Sequence, residues 1–506
     1  MQNDDGTQSL TDVLSHTSEV LAGSQKCALI PNRSHLRHAE TSLHGDLPGD
    51  GLGLTQTVKH LLKDITPALS AASLSPNYYG FVTGGTTPAA HAADILVSLY
   101  DQNPLVHLPD QTIATTVENH ALSLLMQLLR FDRSQWSGVF STGATASNVL
   151  GLALAREYTV NEAIKRRGGS ENVASIGLLQ ACDAAGIESI DVYSTMPHSS
   201  LLKAASIVGI GRSHVHDVSQ GEEDLHFDMG KLADCLSRKG QKAASIIVIS
   251  AGEVNSGLFA TKDFEDVQSI RDLCDKHNAW LHVDGAFGIF ARILPRNAAT
   301  EYVIQGAEGL ELADSIAGDG HKMLNVPYDC GFFLTRHASL SQEVFQNSNA
   351  SYLTAGGHGI VSPLNISIEN SRRFRGLPVY TNLVAYGLHG YRDMLWRQMS
   401  LAREIAKYLF HHDAFQLLPD CLYRSDDDIE RNVFMIVLFR AKDEVLNKEL
   451  PTRINQTSRL YVSGTRWNSE DACRFAVANW QVKPKEDSEL VQDVLDNIVN
   501  DWTTLH

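Results

Sequence analysis

The chain reads as an α/β protein: a large domain with a mainly parallel sheet, then a smaller α+β domain. Three observations predict this. Between about residues 112 and 336, short apolar runs alternate with stretches of helical periodicity, the pattern of strands joined by crossover helices. After about residue 370 the texture changes to one long helical stretch, short apolar runs and a closing helix. The length, 506 residues, exceeds what a single core holds.

Taken in order, residues 1–50 scatter Ser, His, Gly and Asp without periodicity and are expected to be weakly structured. Residues 53–72 place Leu54, Val58, Leu61, Leu62 and Ile65 on one helical face. The Gly- and Thr-rich stretch 78–88 is punctuated as a loop. Residues 138–141 predict a strand, followed by a helix over 144–157. Further buried strands are expected at 189–193, 245–250, 280–284 and 331–334, with a helix over 263–277. Later come a helix over 383–410, strands at 433–439, 460–462 and 474–477, and a helix over 487–502. This divides the chain into an N-terminal segment (1–75), a large domain (76–370) and a small domain (371–506).

The net charge is −17, from 42 basic and 59 acidic residues. Nucleic acid and anionic membrane surfaces repel such a chain, which leaves a small-molecule substrate as the expectation, although an acidic surface equally serves solubility alone. The seven cysteines, Cys27, Cys182, Cys235, Cys274, Cys330, Cys421 and Cys473, form no C-x-x-C pair. That argues against a zinc site or a disulfide framework, and a metal is not expected. A reducing compartment fits. The first ten residues have no basic start and no apolar core, so they do not read as a secretory signal. The longest apolar runs are too short to span a bilayer. A cytoplasmic location is the expectation.

The strongest chemical signal is Lys322, in Gly318-Asp319-Gly320-His321-Lys322 ahead of an apolar strand. A lysine that forms a Schiff base needs a protected pocket in which its amine can lose a proton. The second is Asp284, at the end of the apolar run 280–284 and followed by Gly285 and Ala286. An aspartate there can hold a proton on a pyridine nitrogen beside a flat ring; it can equally cap a turn. The third is the stretch from Ser141 to Asn148, between strand and helix, with Gly143, Ala144 and Thr145 at the junction. Backbone N–H groups at a helix start suit a phosphate, and a plain cap is the alternative. The fourth is His198, just past the run 189–193; its imidazole can stack on a ring or serve the structure. Gly209-Ile210-Gly211 is a fragment of a dinucleotide fingerprint without its third glycine or its helix.

In combination these segments resemble the group II pyridoxal-phosphate-dependent decarboxylases, the family of the aromatic-amino-acid, histidine and glutamate decarboxylases. The resemblance covers about residues 75–480. It implies the fold-type-I architecture, pyridoxal 5'-phosphate as cofactor, release of carbon dioxide from an L-amino acid, and a homodimer with shared active sites. It implies that Lys322 holds the cofactor, Asp284 pairs with the pyridine nitrogen, Ala286 lies under one ring face and His198 stacks on the other. By the same resemblance Gly143, Ala144 and Thr145 hold the phosphate, His321 sits beside the lysine, and Asn255 and Ser256 lie near the cofactor. Tyr352 resembles the tyrosine on a mobile loop that protonates the substrate carbon. Arg372-Arg373-Phe374-Arg375 matches a basic segment after that loop, and residues 103–107 are expected to reach the neighbouring site.

Two departures bear on the substrate. Met323 stands where many members have Trp. Phe81, Val82 and Thr83 replace the stretch that lines the aromatic decarboxylase pocket, so they are candidate substrate residues and an aromatic substrate is not implied. Gly285-Ala286-Phe287-Gly288 and Asn325-Val326-Pro327-Tyr328-Asp329 are closer to a microbial branch. The same cofactor would also serve a carbon–carbon lyase, an aminotransferase or an aldehyde synthase. A non-catalytic homologue and a nicotinamide dehydrogenase are the remaining alternatives.

Overall fold

The computed structural model describes residues 6–23, 28–221, 224–238, 242–347 and 359–505. A seven-stranded sheet forms its centre, in the order β1-β7-β6-β5-β4-β2-β3. The strands are β1 (Ser137–Ser141), β2 (Ser189–Ser194), β3 (Val215–Asp217), β4 (Ala243–Ser250), β5 (Trp280–Asp284), β6 (Ser315–Asp319) and β7 (Gly331–Thr335). Neighbours from β3 to β6 pair parallel, whereas β7 is antiparallel to both β6 and β1. β7 is thus the one reversed strand, and β1 points the same way as β6. The expected mainly parallel sheet is present.

Alternation along the strands builds a core on each face. Ile247, Ile249, Leu281 and Val283 pack on one side, and Ile246, Val248 and Trp280 on the other. Both faces are covered, so these strands read as continuous apolar runs. The two unforeseen strands lack that signature. β3 has three residues, and β6 is Ser-Ile-Ala-Gly-Asp with one large apolar side chain.

A four-stranded antiparallel sheet lies in the C-terminal part, in the order β10-β11-β9-β8. Its strands are β8 (Phe415–Leu418), β9 (Ile436–Ala441), β10 (Ser463–Trp467) and β11 (Glu470–Ala476). The expected strands 433–439 and 474–477 overlap β9 and β11. The run 460–462 leads into β10 and itself makes only a bridge, Tyr461 to Tyr78.

The helix Gly376–His411 ties the two sheets together. Its first part gives Val379, Leu383, Tyr391 and Leu395 to the large core, and its second gives Leu401, Ile405 and Leu409 to the small one. Gly387 breaks it with φ 56° and ψ −171°, a conformation costly for any residue with a Cβ.

The N-terminal region is more ordered than expected. Gly6–Leu21 and Arg33–Ser42 are helices. Asn32 caps the second, its side chain accepting from the His35 N–H at 2.9 Å. The helix expected over 53–72 is shorter: Leu54–His60 continues as a π turn, Leu61–Ile65, and a 3₁₀ turn, Thr66–Ala68, that carries Pro67. Gly209 and Gly211 take positive φ just past the helix Ser199–Ile207, as a helix ending does, and form no dinucleotide loop.

Candidate active site

The carboxyl ends of the parallel strands bring the predicted residues together. His198 follows β2, Asp284 ends β5, and Lys322 follows β6. Since β1 points the same way, the start of the helix Ala144–Arg166 arrives at the same end. Lys322, Asp284, Ala286, His198 and His321 border one cavity of about 330 Å³. Gly143, Ala144 and Thr145 border it too. A larger cavity, of about 570 Å³, is lined by Glu118, Trp136 and Arg372 near the β1 edge. Neither Lys322 nor Asp284 lines it.

The turn that presents Lys322 is fixed from several sides. The Gly320 and His321 N–H groups donate to the Cys330 carbonyl at 2.9 and 3.1 Å. The Asn325 side-chain amide donates to the carbonyls of Gly84 and Ala478. Gly84 itself lies so close that an added Cβ would stand 1.8 Å from the Lys322 carbonyl oxygen. The loop 78–88 therefore braces the lysine turn. The Lys322 Nζ lies 3.1 Å from Asp319 Oδ2 and 5.6 Å from the centre of the Phe287 ring. His321 donates through Nδ1 to the Cys330 carbonyl at 2.7 Å, and burial holds its pKa below the usual value.

Asp284 is held by a chain of side chains. The Trp280 Nε1–H donates to Ser315 Oγ at 2.9 Å, and the Ser315 hydroxyl donates to His282 Nδ1 at 2.8 Å. The His282 Nε2–H donates to Asn148 Oδ1, and the Asn148 amide donates to Asp284 Oδ2, both at 2.9 Å. The direction of each bond follows from the donors available: an indole can only donate, and the carboxylate only accepts. Burial pushes His282 down to about 4, so it is neutral. Period two puts Trp280, His282 and Asp284 on one face of β5. Gly151 makes room for His282, since a Cβ there would stand 2.4 Å from the ring.

His198 caps the helix Ser199–Ile207. Its Nδ1 accepts from the Ser200 N–H at 3.2 Å and from the Ser200 hydroxyl at 2.6 Å, which leaves the proton on Nε2. Burial lowers its pKa as well. Ser200 Oγ in turn accepts from the Asn148 amide at 3.4 Å.

Five predicted residues do not border the cavity. Asn255 and Ser256 turn away because Glu253 gathers their backbone N–H groups, at 2.9 and 2.7 Å. Asn255 then faces the small sheet, accepting from the Thr465 hydroxyl at 2.7 Å. Phe81 is exposed at positive φ, with its N–H donating to Ser463 Oγ at 3.1 Å. Val82 and Thr83 are buried within the bracing loop. Tyr352 lies outside the described residues. The basic segment is structural: Arg372 pairs with the buried Glu118, Arg373 with Asp94, and Arg375 with Asp329. Met323 is buried in the core.

Sequence reasoning missed Asn148, His282 and Asp319. Each stood inside a segment already singled out. His282 shares a strand face with Asp284, a signal that period two offers. Asp319 is almost fully buried and accepts from the Ala144 N–H at 2.5 Å, at the helix start.

The chain matches the family described as "pyridoxal-dependent decarboxylase conserved domain" over residues 44–424. The chain belongs to this family. An L-2,4-diaminobutyrate decarboxylase of Acinetobacter baumannii is 24% identical over 415 residues, 80% of this chain and 75% of that one. Tryptophan decarboxylase 1 of Oryza sativa subsp. japonica is 25% identical over 446 residues, 84% of this chain and 80% of that one. In fold, the decarboxylase superposes on the crystal structure of Oryza sativa TDC with PLP and tryptamine, with a TM-score of 0.81, 21% identity and 99% of both chains covered. The glutamate decarboxylase domain of a Vibrio parahaemolyticus diaminobutyrate enzyme gives a TM-score of 0.76 at 22% identity, over 99% of this chain and 97% of that one.

The decarboxylase is therefore pyridoxal-phosphate-dependent, and the cavity's chemistry fits the cofactor. It offers one amine, a fixed carboxylate, a neutral imidazole and the N-terminus of a 23-residue helix. Those suit an aldehyde, a pyridine nitrogen, a ring face and a phosphate. Asp319 is the one group that runs against the fit, because its carboxylate already takes the Ala144 N–H.

Proposed function

We propose that this decarboxylase removes the carboxylate of an L-amino acid at the cavity around Lys322. The observation that carries the reading is the meeting of Lys322, Asp284 and the helix start at Ala144 in one cavity. When bound, pyridoxal phosphate supplies a ring that takes up the electron pair left on the alpha carbon as carbon dioxide departs. Lys322 would hold the cofactor through its aldehyde, its amine being the one the cavity offers. Asp284, fixed through Asn148, holds a proton at the pyridine nitrogen. His198, whose burial favours the neutral imidazole, would cover one ring face, and the small Ala286 would leave room at the other. The helix start at Gly143, Ala144 and Thr145 would hold the phosphate, the Ala144 N–H once Asp319 gives it up. Tyr352, outside the described residues, is the proposed donor of the proton to the alpha carbon.

The enzyme is further proposed to be a cytoplasmic homodimer. Ile95, Leu96, Leu99 and Tyr100 are exposed on the helix Pro88–Tyr100, an apolar strip that supports a partner copy. The free cysteines Cys182, Cys235, Cys274, Cys330 and Cys473 fit a reducing compartment. The N-terminal segment 1–75, the large domain 76–370 and the small domain 371–506 remain the proposed division.

The test is carbon dioxide release from carboxyl-labelled L-amino acids with pyridoxal phosphate present, with the product identified as amine or aldehyde. Lys322→Ala should abolish both release and the cofactor's visible absorption; survival of both would overturn the assignment. Tyr352→Phe should lower amine yield, and an unchanged yield would assign the proton to another group.

A further inference from the structure

A second constellation of chemically active side chains lies away from the cavity, at the β3 edge of the large sheet. Asp191 is the third residue of β2, and its side chain is fully buried. His214 ends the turn Arg212–His214, and His216 lies on β3. The parallel register pairs Val192 with Val215 and Tyr193 with His216. Asp191 and His214 therefore occupy adjacent positions, and period two puts Asp191, His214 and His216 on one sheet face. His214 Nδ1 and His216 Nε2 each lie 3.0 Å from the same oxygen, Asp191 Oδ1. The three donor atoms all fall within 4.8 Å of one another.

We propose that Asp191, His214 and His216 form a binding site for a divalent transition-metal ion of the zinc type, separate from the cofactor cavity. The donor set is two imidazoles and one carboxylate, which suits borderline ions and not calcium or magnesium. Bonds of about 2.0–2.1 Å to a tetrahedral ion set neighbouring ligand atoms about 3.3 Å apart. The two 3.0 Å separations in this cluster are close to that edge, and the two imidazole nitrogens lie within 4.8 Å of each other, a span that ring rotation can adjust.

The surroundings orient the ligands as a metal site requires. Asp191 Oδ2, the oxygen turned away from the histidines, accepts from the Ser189 hydroxyl at 2.7 Å. The His216 ring stacks on Tyr193, with centroids 5.5 Å apart and planes at 30°. These contacts fix the carboxylate and one imidazole before any ion arrives. Each histidine side chain is 39% exposed, so water can reach the ion and fill the remaining position. The ion would link the short edge strand β3 to β2. It would add stability by binding the folded chain alone.

The proposal is independent of the decarboxylation reading, because none of its residues borders the cofactor cavity. The test uses the holoenzyme, stripped with a chelator, dialysed and titrated with zinc chloride by calorimetry. Wild type should bind about one ion per chain at this site and unfold at a higher temperature when zinc is present. His214→Ala and His216→Ala, both at half-exposed positions, should each weaken binding at least about tenfold, and Ser189→Ala should weaken it by about tenfold. Decarboxylation and the cofactor's absorption should be unchanged in all three. X-ray absorption at the zinc edge should show two imidazole nitrogens at about 2.0–2.1 Å in wild type. Absence of zinc binding, or binding equally strong in both histidine variants, would overturn the proposal. The second result would place the ion elsewhere, on a cysteine or at the cofactor.

Discussion

His282 is the residue on which Asp284's orientation depends, and it carries a pH signature. Its folded pKa of about 4 lies below the unfolded value near 6.5. The unfolded chain therefore binds the proton first as pH falls. Stability from the neutral, buried imidazole is complete above about pH 6.5 and is lost down to about pH 4, by up to about 3 kcal/mol. Denaturant unfolding at pH 7 and pH 5 should show this loss, and His282→Gln should shrink it. An equal loss in the variant would place the pH dependence on other groups. Asp319 makes a different prediction. Its carboxylate and a bound phosphate compete for the start of the helix Ala144–Arg166. Asp319→Asn should tighten pyridoxal phosphate binding to the apoenzyme by roughly fivefold, the worth of about 1 kcal/mol at a helix N-terminus. A fluorescence titration reads this directly; weaker binding would mean that Asp319 accepts a hydrogen bond from the phosphate.

Two glycines set the limits on the helices that frame the site. Gly151 faces His282 across the helix–sheet contact, where a Cβ would stand 2.4 Å from the ring. Gly151→Ala should cost about 1–3 kcal/mol through overpacking. It should also weaken cofactor binding, because the Asn148–Asp284 bond shifts with the ring. Gly387 meets nothing within 4 Å of an added Cβ. Gly387→Ala should therefore cost about 1–3 kcal/mol of backbone strain alone and leave cofactor affinity intact. Parallel thermal melts and cofactor titrations of the two variants distinguish these causes. The elements themselves were legible to different degrees. β4 and β5, buried on both faces, stood out as apolar runs. β6 did not, because small residues let it pass under the Phe332 ring, 2.1 Å from a Cβ placed at Gly318.

At the scale of the whole molecule, the exposed strip on the helix Pro88–Tyr100 predicts association. Leu99→Asp should move the protein toward monomer in sedimentation velocity and lower its activity with it; an unchanged dimer would place the interface elsewhere. The same scale explains which site residues were legible. Lys322, Asp284, His198 and the stretch Gly143 to Thr145 sit where a strand ends, and strand ends are visible as a break in apolar patterning. Asn255 and Ser256 also follow a strand, β4, yet Glu253 rotates them out of the cavity. That rotation depends on a carboxylate two and three residues away and on Thr465 in another sheet, contacts no local pattern reports.

The sequence by itself determined the alternation of strand and helix, the placing of Lys322 and Asp284 at breaks in apolar runs, and the acidic net charge. Each of these depends on residue type and on spacing along the chain. Only the tertiary structure decided that β1 joins the sheet through a reversed β7, which carries the start of the helix Ala144–Arg166 to the same end as Lys322. It also decided that the loop 78–88 braces the lysine turn and that Asp191 meets two histidines at the far edge. Those arrangements depend on contacts between residues distant in sequence, where close packing and the pairing of buried polar groups select the partner.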